Sequence, residues 1–339
     1  MLELLSMNKT KHIFINSDSR KINQIKNETI NLVVTSPPYP MIKMWDWILE
    51  KESKNIAEDF DYIEFSNILS EIWKEMYRVI KPGGILAINI GDAARRNEKG
   101  FLLYSNSSKI INSCIEHGFT QLPGIIWSKP SNSPNKFLGS GMYPVKAYIT
   151  LEHEHILIFR KGERNFSKLE EEIRKESAFF WEERNKWFSD IWTGLTGTQQ
   201  KIKGLSRKRN AAYPLELPFR LINMFSIKGD VVLDPFMGTG TTSIAAAATE
   251  RNSIGVDLMQ DFVEFSKERF LKCKNQVNEF IDRRLDKHKE FATNNLSKEN
   301  FMNENHNFIV KTKWEQKIKI NKINKIVKKD IDTFEVEYN

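Results

Sequence analysis

An apolar run that ends in two consecutive prolines leaves a backbone few options. Asn31-Leu32-Val33-Val34 reads as a buried strand, and Thr35-Ser36-Pro37-Pro38-Tyr39-Pro40 stops it in a rigid turn. Pro37 and Pro38 each fix φ and donate no backbone hydrogen bond, so no strand ladder continues past them. Their carbonyls and the Ser36 hydroxyl then project from the strand end as a short row of acceptors, with the flat face of Tyr39 beside it. That row suits a planar group bearing an NH2, its ring stacked on Tyr39 and its amine protons held by Ser36 and a proline carbonyl. The competing reading is a proline turn after a core strand.

A second stretch weighs against that plainer reading. Val231-Val232-Leu233-Asp234-Pro235-Phe236-Met237-Gly238-Thr239-Gly240-Thr241-Thr242 is another β-branched strand ending in an acid, followed by a Gly-x-Gly turn and a helix start. Together and in this order, the two stretches resemble the amino-methylating DNA methyltransferases that use S-adenosylmethionine, over roughly residues 12 to 275. Ser36, Pro37, Pro38 and Tyr39 look like the catalytic motif, and Asp234 to Thr242 like the cofactor motif. Catalytic before cofactor motif is the order of the permuted group called beta.

The rest of the pattern agrees. The apolar spacing from Tyr62 to Ile80 predicts a packed helix, Lys81-Pro82-Gly83-Gly84 ends it, and Ile85 to Ile90 reads as the next parallel strand. Such alternation argues for a doubly wound α/β sheet. The resemblance implies a mostly parallel sheet of seven strands, closed by an antiparallel pair near Ile125–Trp127 and Ile149–Phe159. Ser17-Asp18-Ser19 reads as the cap of a short helix through Ile25; the resemblance gives the Asp18 position a contact to the cofactor's adenine. Thr35, Asp234, Pro235, Phe236, Gly238, Thr239, Gly240 and Thr241 fall in its cofactor pocket. Tyr213, Pro214 and Leu217 lie in a stretch similar to the motif that folds over the cofactor's methionine end.

Ile254-Gly255-Val256-Asp257 supplies one more strand with an acid at its end, placed to accept from ribose hydroxyls. The spacing also fits a nicotinamide dinucleotide site. However, Ser243 stands where a third glycine belongs, and Asp234 would repel a pyrophosphate. A carboxylate there better suits a cationic ligand.

Composition narrows the chemistry further. The 339 residues carry a net charge of +7, compatible with a polyanionic partner. Cys114 and Cys273 stand alone, so neither a disulfide framework nor a zinc site is expected. No Pro-Cys dipeptide occurs, which disfavours methylation at carbon 5 of cytosine. His153 and His155 share one strand face, but two ligands make a weak metal site and none is expected. Neither an 18-residue apolar span nor a signal-peptide layout is present, so a cytoplasmic location without membrane contact is expected.

We divide the chain into a catalytic half (12–159), a target-recognition region (160–210), a cofactor-binding half (211–286) and a C-terminal extension (287–339) without motifs. Residues 41 to 60, with Trp45, Asp46 and Trp47, read as a loop or lid over the site, or as a loop anchored to the core. Residues 160 to 210 interleave basic residues with Phe179, Phe180, Trp181, Trp187 and Trp192, which fits DNA recognition or a charged helical excursion with an aromatic core. Trp127, Lys129, Lys201, Lys203, Arg207, Lys208 and Arg209 are the candidate DNA contacts. Ser36 favours cytosine N4 as target, with adenine N6 as the alternative. Double-stranded DNA is the expected partner, and a cognate restriction endonuclease a possible one. Protein or small-molecule amine methylation and a non-catalytic DNA-binding subunit are the remaining rivals.

Overall fold

The structure is a computed structural model that describes residues 8–40, 58–97, 100–129, 138–195, 213–295 and 301–339. The first part of the chain lays down β1 (Lys9–Asn16), β2 (Ile30–Thr35), helix α1 (Glu58–Val79), β3 (Ile80–Ile90) and the hairpin β4 (Ala93–Asn97) and β5 (Gly100–Tyr104). Helix α2 (Asn106–Glu116) leads to β6 (Thr120–Ser128), the small hairpin β7 (Leu138–Gly139) and β8 (Ala147–Tyr148), and β9 (His153–Lys161). Next come α3 (Lys168–Glu176), α4 (Trp181–Trp187), β10 (Ile191–Trp192), α5 (Glu216–Phe225), β11 (Val231–Asp234), α6 (Thr241–Ala248) and β12 (Asn252–Asp257). The chain closes with α7 (Gln260–Leu271), α8 (Lys274–Asn294), β13 (Phe301–Met302), β14 (Ile309–Val310), β15 (Ile323–Lys328) and β16 (Thr333–Tyr338).

Among the described residues the main sheet has ten strands rather than seven, in the order β10-β6-β9-β3-β2-β11-β12-β1-β16-β15. The stretch from β6 to β1 is the expected sheet. Strands β3, β2, β11, β12 and β1 are parallel, and β9 runs against both β3 and β6. The additions lie at the two edges. Strand β10 pairs with β6, and the C-terminal hairpin covers β1, with Ile13 opposite Thr333 and Lys9 opposite Glu337. An otherwise open edge is thereby paired.

Alternation along the buried strands feeds a core on each face. On β2, Val33 faces the cluster built with α1 (Leu69, Ile72, Trp73, Met76), while Leu32 and Val34 face the one built with α5, α6 and α8. From β2 the chain winds outward to β3, and from β11 outward to β12 on the other side. The neighbours β2 and β11 therefore form the topological switch point, where an α/β sheet opens a crevice beyond its strand ends.

Two expected helices are corrected. Residues 17 to 25 form turns, not a helix, because the Ile22 N–H is taken by Glu75 Oε1 of α1 at 2.8 Å, a tertiary partner. The single helix expected from Asp261 to Asp286 is two, interrupted where Cys273 N–H bonds back to the Phe270 carbonyl at 3.1 Å. The C-terminal extension is structural: Phe334 and Val336 are fully buried, and Glu315 accepts from Trp181 N–H at 2.8 Å, tying the extension to α4. Both cysteines are buried and free. Among the described residues no helix is long and apolar enough to cross a membrane.

Candidate active site

The two motif strands end side by side. Thr35 Oγ1 on β2 donates to Asp234 Oδ1 on β11 at 2.7 Å, which locks the ends of the catalytic and cofactor stretches together. Asp234 is buried and takes three further donors: Phe236 N–H at 3.1 Å, Thr242 Oγ1 at 2.6 Å and Tyr213 Oη at 3.2 Å. None of these donors is a cation, so burial pushes the Asp234 carboxyl above the usual range despite the opposing hydrogen bonds. Tyr213, expected near this site from a distant stretch, is brought to it, and its hydroxyl also meets that of Thr242. Leu217 is fully buried in the same core cluster as Tyr213, and Pro214 precedes α5, its carbonyl accepting from Leu217 N–H at 3.0 Å.

The Gly-x-Gly turn connects Asp234 to α6. Gly238 and Gly240 adopt φ of 52° and 74°, the left-handed region that glycine enters at little cost. A side chain at Gly240 would also approach Ser266 Cβ to 3.1 Å. The turn is pinned from below by Arg269 of α7, whose guanidinium donates to the Thr239 carbonyl at 2.8 Å and to the Thr239 and Thr241 hydroxyls at 3.0 Å. From β12, Asp257 Oδ2 accepts Gly238 N–H and Oδ1 accepts Met259 N–H, both at 2.9 Å. Burial, with Asp234 adding like charge, raises this carboxyl to about 6. Pro235 contributes a carbonyl that accepts from Ser19 Oγ at 2.6 Å, and Phe236 packs edge-on to Trp73. Asp18 lies nearer the surface, its carboxylate gripped by Arg20 at 2.6 Å.

Beside the proline turn a polar network is assembled from three strands. Tyr39 Oη donates to Glu154 Oε2 of β9 at 2.8 Å and accepts from Ser36 Oγ at 3.1 Å and from Asn89 Nδ2 of β3 at 2.8 Å. Asn89 Nδ2 also lies 2.7 Å from Glu154 Oε2, and Lys129 Nζ lies 2.6 Å from Oε1. Burial and the Glu154 charge push the Tyr39 phenol well above its usual value, so the ring stays neutral. Gly91 makes room for that ring, since a Cβ there would come 3.0 Å from Tyr39 Cε2. Sequence reasoning gave no role to Asn89, Glu154 or Arg269. The detectable signal was an acid, Glu154, two residues before the buried run that begins at Ile156 of β9.

The DNA candidates divide. Lys129 is exposed at the mouth of this network, over the Trp127 ring at 5.0 Å. Trp127 itself is 2% exposed and has no free face for a base. Lys201, Lys203, Arg207, Lys208 and Arg209, like Trp45, Asp46 and Trp47, lie outside the described residues. In the described part of 160–210, Phe180, Trp187 and Trp192 are buried, and Arg164 holds Asp230 through two hydrogen bonds of 2.8 and 3.1 Å. Those aromatics serve the core. His153 and His155 sit 4.9 Å apart and join no three-ligand group among the described residues.

Residues 30–268 match the DNA methylase family of N6 and N4 enzymes. The chain belongs to that family. The Type II methyltransferase M.MthZI of Methanothermobacter thermautotrophicus is 48% identical over 323 residues, covering 92% of this chain and 90% of the relative. M.MjaI of Methanocaldococcus jannaschii is 45% identical over 297 residues, covering 81% and 97%. A solved DNA modification methylase from Thermus thermophilus, in complex with S-adenosyl-L-methionine, superposes with a TM-score of 0.60 at 34% identity over 77% of this methylase and 92% of that chain.

Proposed function

We propose that this methylase transfers a methyl group from S-adenosyl-L-methionine to the N4 amine of cytosine in duplex DNA, within the permuted beta group. The observation that carries the reading is the Thr35–Asp234 hydrogen bond of 2.7 Å, which sets the Ser36-Pro37-Pro38-Tyr39 turn beside the buried acid of the cofactor motif at the switch point.

The residues fit the cofactor. Asp234 is a buried acid surrounded by neutral donors, which favours a cationic ligand nearby, and Asp257 stands at the next strand end with lone pairs for ribose hydroxyls. The positive φ angles of Gly238 and Gly240 let the backbone approach a ligand closely. Thr35, Tyr213, Pro214, Leu217, Pro235, Phe236, Thr239 and Thr241 shape the rest of the pocket, Asp18 its adenine end. When bound, S-adenosyl-L-methionine supplies an electrophilic methyl group. The protein's task is then the nucleophile.

An exocyclic amine shares its lone pair with the ring and is a poor nucleophile. Accepting its two N–H groups at Ser36 Oγ and the Pro37 carbonyl favours the tetrahedral nitrogen that attacks, by positioning and electrostatic stabilisation. In a duplex the base must leave the stack at a cost of a few kcal/mol. Stacking on Tyr39 offsets roughly 1–3 kcal/mol of that. Lys129 and the basic run from Lys201 to Arg209 supply the backbone contacts. The Type II names of the relatives fit a role beside a cognate restriction endonuclease.

Serine can hold the cytosine amine without placing a full charge in the pocket, whereas an ionised aspartate there only accepts. Nucleoside mass spectrometry of DNA methylated by the wild-type protein tests the assignment. N4-methylcytosine is expected, and Ser36→Ala should lose most turnover while still binding cofactor. N6-methyladenine as sole product overturns the cytosine reading and leaves DNA amine methylation standing. A calorimetric titration with S-adenosyl-L-methionine that gives no heat would instead favour a non-catalytic subunit.

A further inference from the structure

Hydrogen-bond direction in the Tyr39 network is fixed by which groups can only donate. The Lys129 ammonium has no acceptor and occupies Glu154 Oε1 at 2.6 Å. The Asn89 amide turns its NH2 toward both Glu154 Oε2 and Tyr39 Oη, at 2.7 and 2.8 Å. Flipping the amide would set Asn89 Oδ1 against the carboxylate, so the NH2 orientation is the one the charges permit. Its Oδ1, buried and without a partner, is what this orientation leaves unsatisfied. Glu154 Oε2 is then the acceptor for the single Tyr39 proton at 2.8 Å, and the Tyr39 oxygen is the acceptor for the Ser36 proton at 3.1 Å. Ser36 thus gives its own hydrogen away from the pocket, and apart from a long 3.5 Å approach of Asn89 Nδ2 its oxygen stays open as an acceptor.

We propose that Ser36, Tyr39 and Glu154 form a proton relay that removes the proton released by the methylated amine, with Glu154 as its terminal acceptor. The inference rests on the reading of this site as one for amine methylation. As the nitrogen–methyl bond forms and the methyl–sulfur bond breaks, the nitrogen becomes positive and its N–H strongly acidic. That proton passes to Ser36 Oγ, the Ser36 hydrogen passes to Tyr39 Oη, and the Tyr39 hydrogen passes to Glu154 Oε2. Two bonds form and two break along the hydroxyls, each hydroxyl ends as it began, and the charge that started on nitrogen is neutralised at the carboxylate. Glu154 then loses the proton to solvent at the pocket mouth, where the Lys129 side chain is 53% exposed and that of Glu154 12%. Neither Tyr39 nor Glu154 needs to leave its present position. Glu154 touches no substrate atom and acts only through Tyr39.

Single-turnover methyl transfer to duplex DNA tests the relay, using Tyr39→Phe, Glu154→Gln, their double variant and Glu154→Ala. Tyr39→Phe keeps the ring and removes the hydroxyl that joins Ser36 to Glu154, while Asn89 Nδ2 keeps its bond to Glu154. Each single variant should slow the transfer step roughly 10²-fold, the low end for general acid–base catalysis, with cofactor affinity by calorimetry unchanged. The double variant should be no slower than the slower single one, because both break one path. Formate should restore part of the Glu154→Ala rate, and neutral formamide of the same size should not. A Tyr39→Phe rate within twofold of wild type, multiplicative losses in the double variant, or equal rescue by formamide would overturn the relay. Product analysis on the wild type decides cytosine against adenine independently, because the relay serves either amine.

Discussion

Asp257 is the group whose ionisation should set the pH behaviour of this protein. In the fold its carboxyl titrates at about 6 instead of 3.8, chiefly through burial, partly through the charge of Asp234 and against the N–H groups of Met259 and Gly238. At 1.36 kcal/mol for each pH unit the difference is worth about 3 kcal/mol. Because the folded value is the higher one, the folded protein holds this proton more tightly. The stabilisation is complete below about pH 4 and is lost as pH rises through about 6. Asp257→Asn removes the titration, and the amide's failure to accept both N–H groups adds an offset that does not vary with pH. Denaturant unfolding of wild type and variant from pH 4 to 8 should show the wild type losing most of that difference, about 2.4 kcal/mol, relative to the variant across that window. Cofactor affinity should move the other way in the wild type, rising up to about tenfold per pH unit below 6 as the ribose acceptor ionises. In Asp257→Asn it should be weaker by roughly 1.5–3 kcal/mol, with the part of the pH dependence that Asp257 supplies removed. Parallel stability curves for the two proteins would show that burial does not govern this carboxyl. Unchanged affinity in the folded variant would remove Asp257 from the cofactor site.

Two further outcomes are expected. Replacing Arg207, Lys208 and Arg209 together by neutral residues should weaken DNA binding and flatten its dependence on salt; an identical slope in a fluorescence-anisotropy titration would place the cluster off the DNA. Phe334→Ala should destabilise the protein by roughly 3–5 kcal/mol in denaturant unfolding, because the ring is fully buried against Phe14 and Phe270 at 5.4 and 5.8 Å, and a loss under 1 kcal/mol would show that the C-terminal strand is not part of the core.

What the sequence revealed was mostly what neighbouring residues dictate to one another. A proline pair ends β2 wherever that strand packs, and Gly238 and Gly240 turn the chain whatever covers them, so the two motifs appear where their residues placed them. Asn89 and Glu154 carry no such local mark. They reach Tyr39 only because β9 inserts antiparallel beside β3, putting Ile90 opposite His155 and both near the β2 strand end. Nothing within β3 or β9 alone specifies that register.

The aromatics of 160–195 were ambiguous for the same reason. A tryptophan that stacks on a base and one that fills a core look alike until the partner is known. Here Trp187 and Trp192 find theirs in the main cluster and Phe180 packs with Val310 and Ile318 of the extension. The extension could not be read as structural from its own composition, because lysines and asparagines dominate it. Its few large apolar residues act at a distance of more than three hundred positions, Val336 opposite Thr10 and Tyr338 Oη within 2.8 Å of Thr10 Oγ1. A sheet that ended at β1 would leave that strand's outer backbone groups unpaired and the Phe14 ring open on one side. The β15/β16 hairpin removes both defects at once, which is why a segment without a motif belongs to the same core as the strands that carry the chemistry.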